Sequence, residues 1–341
     1  MAFFDTKLYD RESFEKANEA FGYPIHFFRP RLNADTVQLA AGFSVVCVFV
    51  NDTLSGPVVL ELERLGVRLI ALRCAGYNQV DLKTAYDRIR VVRVPFYSPH
   101  AVAEHAVALA LALNRKTHKA YHRTRDSNFA IQGLMGFDMN GKIAGIVGTG
   151  KIGRITARIF RGFGMKVLAY DPFPNAAAAK AEEFHYVDLD TLYSQADILS
   201  LHCPLTPETE HMIHRGSIAK MKPGVMLINT GRGKLIRTPD LIQGLKSRHI
   251  GSAGLDVYEE EESYFFEDFS SKWVDDDVLA RLLTFPNVLI TSHQAFFTQE
   301  ALTQIADITL GNIRAFFQKD PLENQICHRC GASGCRPIHA S

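Results

Sequence analysis

The sequence predicts an α/β protein built on doubly wound parallel sheets, and three observations carry that expectation. Short apolar runs alternate with segments of helical spacing from Val45 onward. A glycine turn, Gly148-Thr149-Gly150-Lys151-Ile152-Gly153, stands between an apolar run and an amphipathic segment. The later apolar runs are bounded by Pro, Gly, Asn or Asp, as buried parallel strands are. With 341 residues, 47% of them apolar and 22% charged, the chain has enough material for two domains with sizeable cores.

Taken in order, Phe3 and Phe4 make a clipped opening strand. Strand-like runs follow at Val45 to Val50, Val67 to Leu72 and Val91 to Val94, separated by helical spacing at Pro57 to Leu65 and Val80 to Tyr86. Turn residues at Gly76-Tyr77 and at Pro95 to Pro99 come directly after strand ends, where open sheets place ligands. Ala101 to Tyr121 is one long segment, apolar nearly all round, that calls for burial in a core or against a second subunit and so predicts a homodimer or homotetramer.

Ile143 to Val147 then leads straight into Gly148, Gly150 and Gly153, with helical spacing beyond at Ile155, Ile159 and Phe163. The next strand, Val167 to Tyr170, ends on Asp171, about twenty residues past the turn. These parts make a dinucleotide-binding unit. The first glycine permits the turn, the second lets the backbone approach a pyrophosphate, and the third lets helix and strand pack closely. The helix N-terminus adds free N–H groups and a positive dipole end. Asp171 accepts hydrogen bonds from the adenosine ribose and repels a 2′-phosphate, which favours NAD over NADP.

Further runs at Asp197 to Leu201, Val225 to Asn229, Gly254 to Val257 and Val288 to Thr291 complete an expected six-stranded parallel sheet. Between the last two, Glu259 to Asp277 is acidic and aromatic together, a solvated loop with a few anchoring aromatics. Thr298 caps a final amphipathic helix, Glu300 to Phe317, which returns to the first domain.

Composition removes several functions. A net charge of +1 gives no field for nucleic acid or acidic membranes, and the basic cluster from Arg115 to Arg125 reads as a solvated helix face. The N-terminus lacks a basic segment followed by an apolar core, so the expectation is a cytoplasmic protein. Cys47, Cys74 and Cys203 sit in apolar contexts as small core residues. The tail holds Cys327, His328, Cys330, Cys335 and His339, but a single CxxC without a matched second pair leads us to expect no metal.

Chemistry converges at the carboxyl ends of three strands. Asn229-Thr-Gly-Arg-Gly places Arg232 past one, Asp256-Val-Tyr-Glu-Glu-Glu places carboxylates past another, and Ser292-His293-Gln294 places a histidine past a third. These groups suit reduction of a 2-oxo acid. Arg232 offers a planar fork that holds a carboxylate and polarises the adjacent carbonyl. His293 gives a proton to the oxygen as hydride arrives at carbon. A glutamate accepting from the far ring nitrogen would orient the imidazole and stabilise its cationic form, though spacing alone leaves Glu259, Glu260 and Glu261 open.

GTGKIG with Asp171, LHCPLTPET from Leu201, MKPGVMLINTGRG from Met221, GLDVYEEE from Gly254 and SHQAFFT from Ser292 resemble the D-isomer-specific 2-hydroxyacid dehydrogenases. RCAGYNQVDL, VVRVPFYSPHAVAEHA, NRKTHKAYHRTRD and HQAFFTQEAL are similar to the bacterial fermentative members that reduce pyruvate to D-lactate with NADH. The match runs to about Asn324. The resemblance implies that Arg232, Glu261 and His293 are catalytic, and that Ala75, Gly76, Tyr97, Arg232 and Phe296 contact substrate. It implies NAD contacts at Gly148 to Gly153, Asp171, His202, Cys203, Pro204, Thr230 and Asp256. It further implies two Rossmann-like domains, a discontinuous substrate domain (1–100 and 298–341) and an inserted NAD domain (101–297), with a hinged cleft that excludes water on closure. Gly231 stands where serine or an alternative small residue is common before the arginine in the family. Longer 2-oxo acids, or an NAD-sensing module that binds partners, are the alternative functions.

Overall fold

In a computed structural model that describes residues 1–261 and 264–330, the chain forms two compact units. One comprises Met1–Ser98 with the residues from Phe297 onward, and the other is Pro99–Phe296.

The first unit begins β1 (Ala2–Phe3), α1 (Leu8–Asn18), β2 (His26–Phe27), β3 (Val45–Val48), α2 (Gly56–Arg64), β4 (Leu69–Leu72), α3 (Leu82–Ala85) and β5 (Arg90–Arg93). Every residue of β3 and β4 is buried, as expected of parallel strands covered on both faces, and the two run in register from Val45 opposite Leu69. In α2 a proline stands in the first turn, where no N–H is missed, and Val58, Val59 and Leu62 make the buried stripe.

The second unit opens with α4 (Pro99–Arg115) and α5 (Thr117–Arg125). These are two helices, where the sequence suggested one long segment from Ala101 to Tyr121. Lys116 takes a left-handed conformation at φ 49°, and α5 buries none of its residues. The apolar stripe that holds α4 in the core ends at Leu113, so beyond it nothing favours a continuous rod. The Asn114 side chain, buried there, donates to Phe137 O and accepts from Phe137 N, bringing the next segment back.

There follow β6 (Ile143–Val147), α6 (Lys151–Gly162), β7 (Lys166–Tyr170), α7 (Ala176–Glu182), β8 (His185–Tyr186), α8 (Leu189–Gln195), β9 (Ile198–Leu201), α9 (Arg215–Lys220), β10 (Val225–Asn229), α10 (Thr238–Lys246), β11 (Ile250–Leu255), α11 (Asp277–Leu283) and β12 (Val288–Ile290). The sheet has seven strands in the order β12-β11-β10-β9-β6-β7-β8, one more than the sequence suggested. The extra strand, β8, is two residues long and pairs with β7 at the sheet edge, too short to carry a readable period. All its pairings are parallel, and the strand order reverses at β6.

Back in the first unit, Thr298 Oγ1 accepts from Ala301 N at 3.2 Å to cap α12 (Gln299–Gln318), which packs on α1, β4 and β5. Ala301, Ile305, Ala306, Leu310 and Ile313 form its buried face. Then β13 (Gln325–Ile326) pairs antiparallel with β5, giving a sheet ordered β13-β5-β4-β3-β1-β2 that is otherwise parallel. Among the described residues no helix is long and apolar enough to cross a membrane, and no group of three or more His, Cys, Asp or Glu side chains is gathered to hold a metal. Cys327, His328 and Cys330 are described; Cys335 and His339 lie outside the described residues.

Candidate active site

One cross-sheet row positions the second unit's site. Tyr170, Val147, Leu201, Asn229, Leu255 and Ile290, the last residues of β7, β6, β9, β10, β11 and β12, lie side by side in register. The next residue of each strand is Asp171, Gly148, His202, Thr230, Asp256 or Thr291. Five of these six were singled out from the sequence, so the candidate site is the carboxyl edge of a single sheet.

At the cofactor end, Gly148 adopts φ +90°, and a Cβ there would stand 2.7 Å from Cys203 N, so the turn both needs the left-handed conformation and lies against the neighbouring strand end. A Cβ on Gly153 would lie 1.9 Å from Gly148 O, which is the close helix-to-turn packing expected of the third glycine. The Asp171 carboxylate accepts from Thr149 N at 2.7 Å, Thr149 Oγ1 at 2.9 Å and Phe173 N at 2.9 Å. Burial pushes Asp171 up, but these hydrogen bonds outweigh it and hold the group below the ordinary carboxylate range. Cys203 Sγ lies 3.6 Å from Met212 Sδ, and Pro204 follows on the exposed part of the same turn.

Two features fit a dinucleotide here. A Cβ on Gly150 would meet nothing within 4 Å, so this residue, at the start of α6 just before Lys151 and Ile152, leaves open space beside the helix's free amides. Thr230 Oγ1 is buried without a hydrogen-bond partner among the described residues, an orphan that a cofactor amide or hydroxyl would satisfy.

His202 Nε2 lies 2.9 Å from Ser200 Oγ, and burial pushes the imidazole down to about 4, so it is neutral at physiological pH. A folded-state value below the unfolded ~6.5 means that the unfolded chain binds the extra proton. Stability should therefore fall as pH drops from about 6.5 towards 4, by up to ~1.4 kcal/mol per pH unit from this residue. Urea unfolding of the wild type and of His202→Gln across that range checks it: the variant should lose about one proton's worth of slope.

Further along the row, the buried Asn229 side chain braces the loop that carries Arg232. Its Oδ1 accepts from Gly231 N at 3.0 Å and its Nδ2 donates to Arg232 O at 2.9 Å. Arg232 is half-buried and donates from Nη1 to Gly231 O at 2.8 Å. A Cβ at Gly231 would make only ordinary contacts, the nearest at 3.6 Å, so glycine or serine fits that position equally. Gly233 is different, since a Cβ would stand 2.0 Å from Tyr258 O. The arginine loop therefore runs directly against the glutamate loop.

Geometry separates the three glutamates. Glu259 is engaged by His211 Nε2 at 2.7 Å and by Thr238 N at 2.7 Å, and Glu260 is exposed. Glu261 accepts from Tyr258 N at 2.8 Å and lies 2.8 Å from His293 Nδ1, which leaves Nε2 as the ring nitrogen to meet a substrate. His293 sits at φ 51°, with its N–H directed to Asp256 O at 2.8 Å. The Asp256 carboxylate, fully buried, accepts from Thr291 Oγ1 at 2.5 Å, Gln294 N at 2.9 Å and Ala295 N at 2.8 Å. Phe296 is buried, and the Phe266 ring stands 5.9 Å from the His293 ring and 6.5 Å from that of Phe296.

In the first unit, the Ala75 and Gly76 turn follows β4. Arg93 Nη1 donates to Ala75 O at 2.7 Å and Cys74 Sγ to Gly76 O at 3.3 Å, while neither amide of the pair donates among the described residues. Two carbonyls tied back and two amides unused is an arrangement suited to an anion. Tyr97 is half-buried in the segment after β5.

Sequence reasoning missed Asn229, Thr291, Phe266 and the Glu259–His211 pair. A buried polar residue ending an apolar strand was the available signal for Asn229; the others depend on contacts distant in sequence.

Residues 107–295 match the family described as D-isomer specific 2-hydroxyacid dehydrogenase, NAD binding domain. The chain is 50% identical over 327 residues to the D-lactate dehydrogenase of Escherichia coli (strain K12), covering 96% of this chain and 99% of that one. The apo-structure of the Escherichia coli D-lactate dehydrogenase superposes with a TM-score of 0.87 at 47% identity, covering 95% of this chain and 99% of that chain. A structure reported as the pyruvate reductase of Chlamydomonas reinhardtii gives 0.90 at 45% identity, with 95% and 97% covered.

Proposed function

This chain belongs to the D-isomer specific 2-hydroxyacid dehydrogenases, oxidoreductases with an NAD-binding domain, and from that premise we propose that it is a D-lactate dehydrogenase that reversibly reduces pyruvate. The observation that carries the mechanism is the His293–Glu261 pair, 2.8 Å apart, delivered past the ends of β12 and β11, the latter beside the β10 end that delivers Arg232. Bound NADH supplies the hydride that reduces the carbonyl carbon. Gly148 to Gly153, Asp171, His202 to Pro204, Thr230 and Asp256 are the residues proposed to hold it.

The chain's own groups do the rest. Arg232 clamps the substrate carboxylate with two parallel hydrogen bonds and polarises the adjacent carbonyl. The unused amides of Ala75 and Gly76 add donors to the carboxylate, and Tyr97 contributes a further substrate contact. His293 Nε2 gives its proton to the carbonyl oxygen as the carbon is reduced, and Glu261 holds the imidazole in place and balances its charge. In the reverse direction His293 takes the hydroxyl proton. Phe296, backed by Phe266, narrows the space beside the substrate methyl, which favours pyruvate over longer 2-oxo acids.

Initial-rate NADH oxidation with pyruvate, phenylpyruvate and 2-oxoisocaproate, followed by chiral assay of the product, tests this reading. Fast conversion of pyruvate to D-lactate alone is the expected result. Inert pyruvate with a reactive bulky oxo acid overturns the pocket argument, and tight NADH binding with no turnover moves the chain to an NAD-sensing role.

The reading includes a dimer and a cytoplasmic setting. Phe129, Ile131 and Met135 are 76%, 84% and 87% exposed on one short segment, which makes that segment the proposed contact. Light scattering of the wild type should give at least twice the monomer mass, and Ile131→Glu with Met135→Glu should shift it towards the monomer. An unchanged mass would remove this segment from the interface. Cys47 and Cys203 carry free thiols in apolar surroundings, which suits a reducing compartment.

A further inference from the structure

We propose that His105, on α4, is a positioning residue that holds the His293 loop through Thr291 and Asp256. This rests on the reading of His293 as the proton donor and adds a group to it.

The hydrogen-bond directions lead there. Thr291 has one hydroxyl proton, and its Oγ1 lies 2.5 Å from Asp256 Oδ1 and 3.0 Å from His105 Nε2. Asp256 is already surrounded by donors, with Gln294 N on Oδ1 and Ala295 N on Oδ2, so it acts as acceptor and the threonine proton goes to it. Thr291 Oγ1 is then left to accept, and His105 Nε2 must carry the hydrogen. The same Nε2 lies 3.4 Å from Asp256 Oδ1, so the ring stands beside both members of the pair.

The loop needs that support. His293 stands in the left-handed region at φ 51°, where a side-chain-bearing residue persists only when its surroundings over-determine it. Glu261 holds the ring at Nδ1, and the backbone restraints are His293 N to Asp256 O and Thr291 O, and the amides of Gln294 and Ala295 to the Asp256 carboxylate. One buried carboxylate thus organises Thr291 to Ala295, and His105 attaches it to a helix that packs on β10, β11 and β12. Its side chain is 18% exposed, so the bond is sheltered from competing water. Without it, Thr291 loses its donor, and the Nε2 of His293 is held less firmly where the carbonyl oxygen must receive its proton.

The test is a set of variants read by kcat, by KM for pyruvate and by NADH affinity from fluorescence titration. His105→Phe should lower kcat about 10- to 100-fold, the penalty for a misplaced catalytic group, with KM and NADH affinity little changed. His105→Gln, whose amide reaches the Nε2 position with an N–H, should recover most of the loss. Thr291→Val should match His105→Phe, Thr291→Ser should recover, and the double variant should be no worse than either single one, because the groups act in one chain. If His105→Phe fails to fold, the His105→Gln, Thr291→Val and Thr291→Ser comparison still decides. Parent turnover in His105→Phe or Thr291→Val, or a parallel loss of NADH affinity and kcat, overturns the proposal. His293→Ala in the same series separates the two readings: if it is inactive while His105→Phe is normal, only the positioning role falls; if it turns over normally, the acid assignment falls.

Discussion

His293→Ala should lower kcat for pyruvate reduction by about 10²–10⁴-fold, the usual contribution of a positioned general acid. The imidazole is the group whose Nδ1 is fixed 2.8 Å from Glu261 and whose Nε2 is left for the substrate oxygen, and alanine offers no proton at that place. The residues proposed for NADH are others, on the strand ends from β7 to β11, so its affinity should stay within about twofold by fluorescence titration. Steady-state rates with that titration check both halves. An equal loss of NADH binding would show that the histidine is a cofactor contact or a folding element instead.

Arg232→Lys should cost roughly 10²-fold in kcat/KM, and Arg232→Gln roughly 10³-fold, because a charged, forked pair of hydrogen bonds is replaced first by a point charge and then by a neutral amide. The backbone that carries the guanidinium does not depend on it: Asn229 holds Gly231 N and Arg232 O, and Gly233 is pressed against Tyr258 O. Both variants should therefore fold and bind NADH normally, with the damage confined to substrate handling. A lysine variant with wild-type kcat/KM would sink the clamp.

Much of this site was readable before any coordinates. Gly148, Gly150, Gly153 and Asp171 were legible together because a turn, a phosphate approach and a ribose contact, the roles proposed for them, would require such residues at set spacings along a single β-α-β segment. The arginine, acid and histidine were legible as residues just past apolar runs. Spacing did not choose among Glu259, Glu260 and Glu261, a choice only the family resemblance made, since it turns on which carboxylate meets His293 and which meets His211. His105 lay outside the reading because its partner Thr291 is 186 positions away. The two-residue strands β2, β8 and β13 were missed for a different reason: their pairing comes from the neighbouring strand, with too few residues to show an alternation. The break at Lys116 shows the opposite limit, where helical composition continues but the buried stripe does not.

The first unit is interrupted, and its last pieces, α12 and β13, come from beyond Phe296. On the ribosome the second unit is a contiguous stretch, Pro99–Phe296, that can condense as soon as it emerges. The earlier-made half must wait. Until α12 covers α1, β4 and β5 and β13 closes the β5 edge, that sheet presents apolar side chains and unpaired backbone to other nascent chains. The same chain order sets an expectation for truncation: a frameshift or nonsense codon near the 3′ end of the message should leave a second unit able to fold, attached to a first unit stripped of α12 and β13 and prone to aggregate.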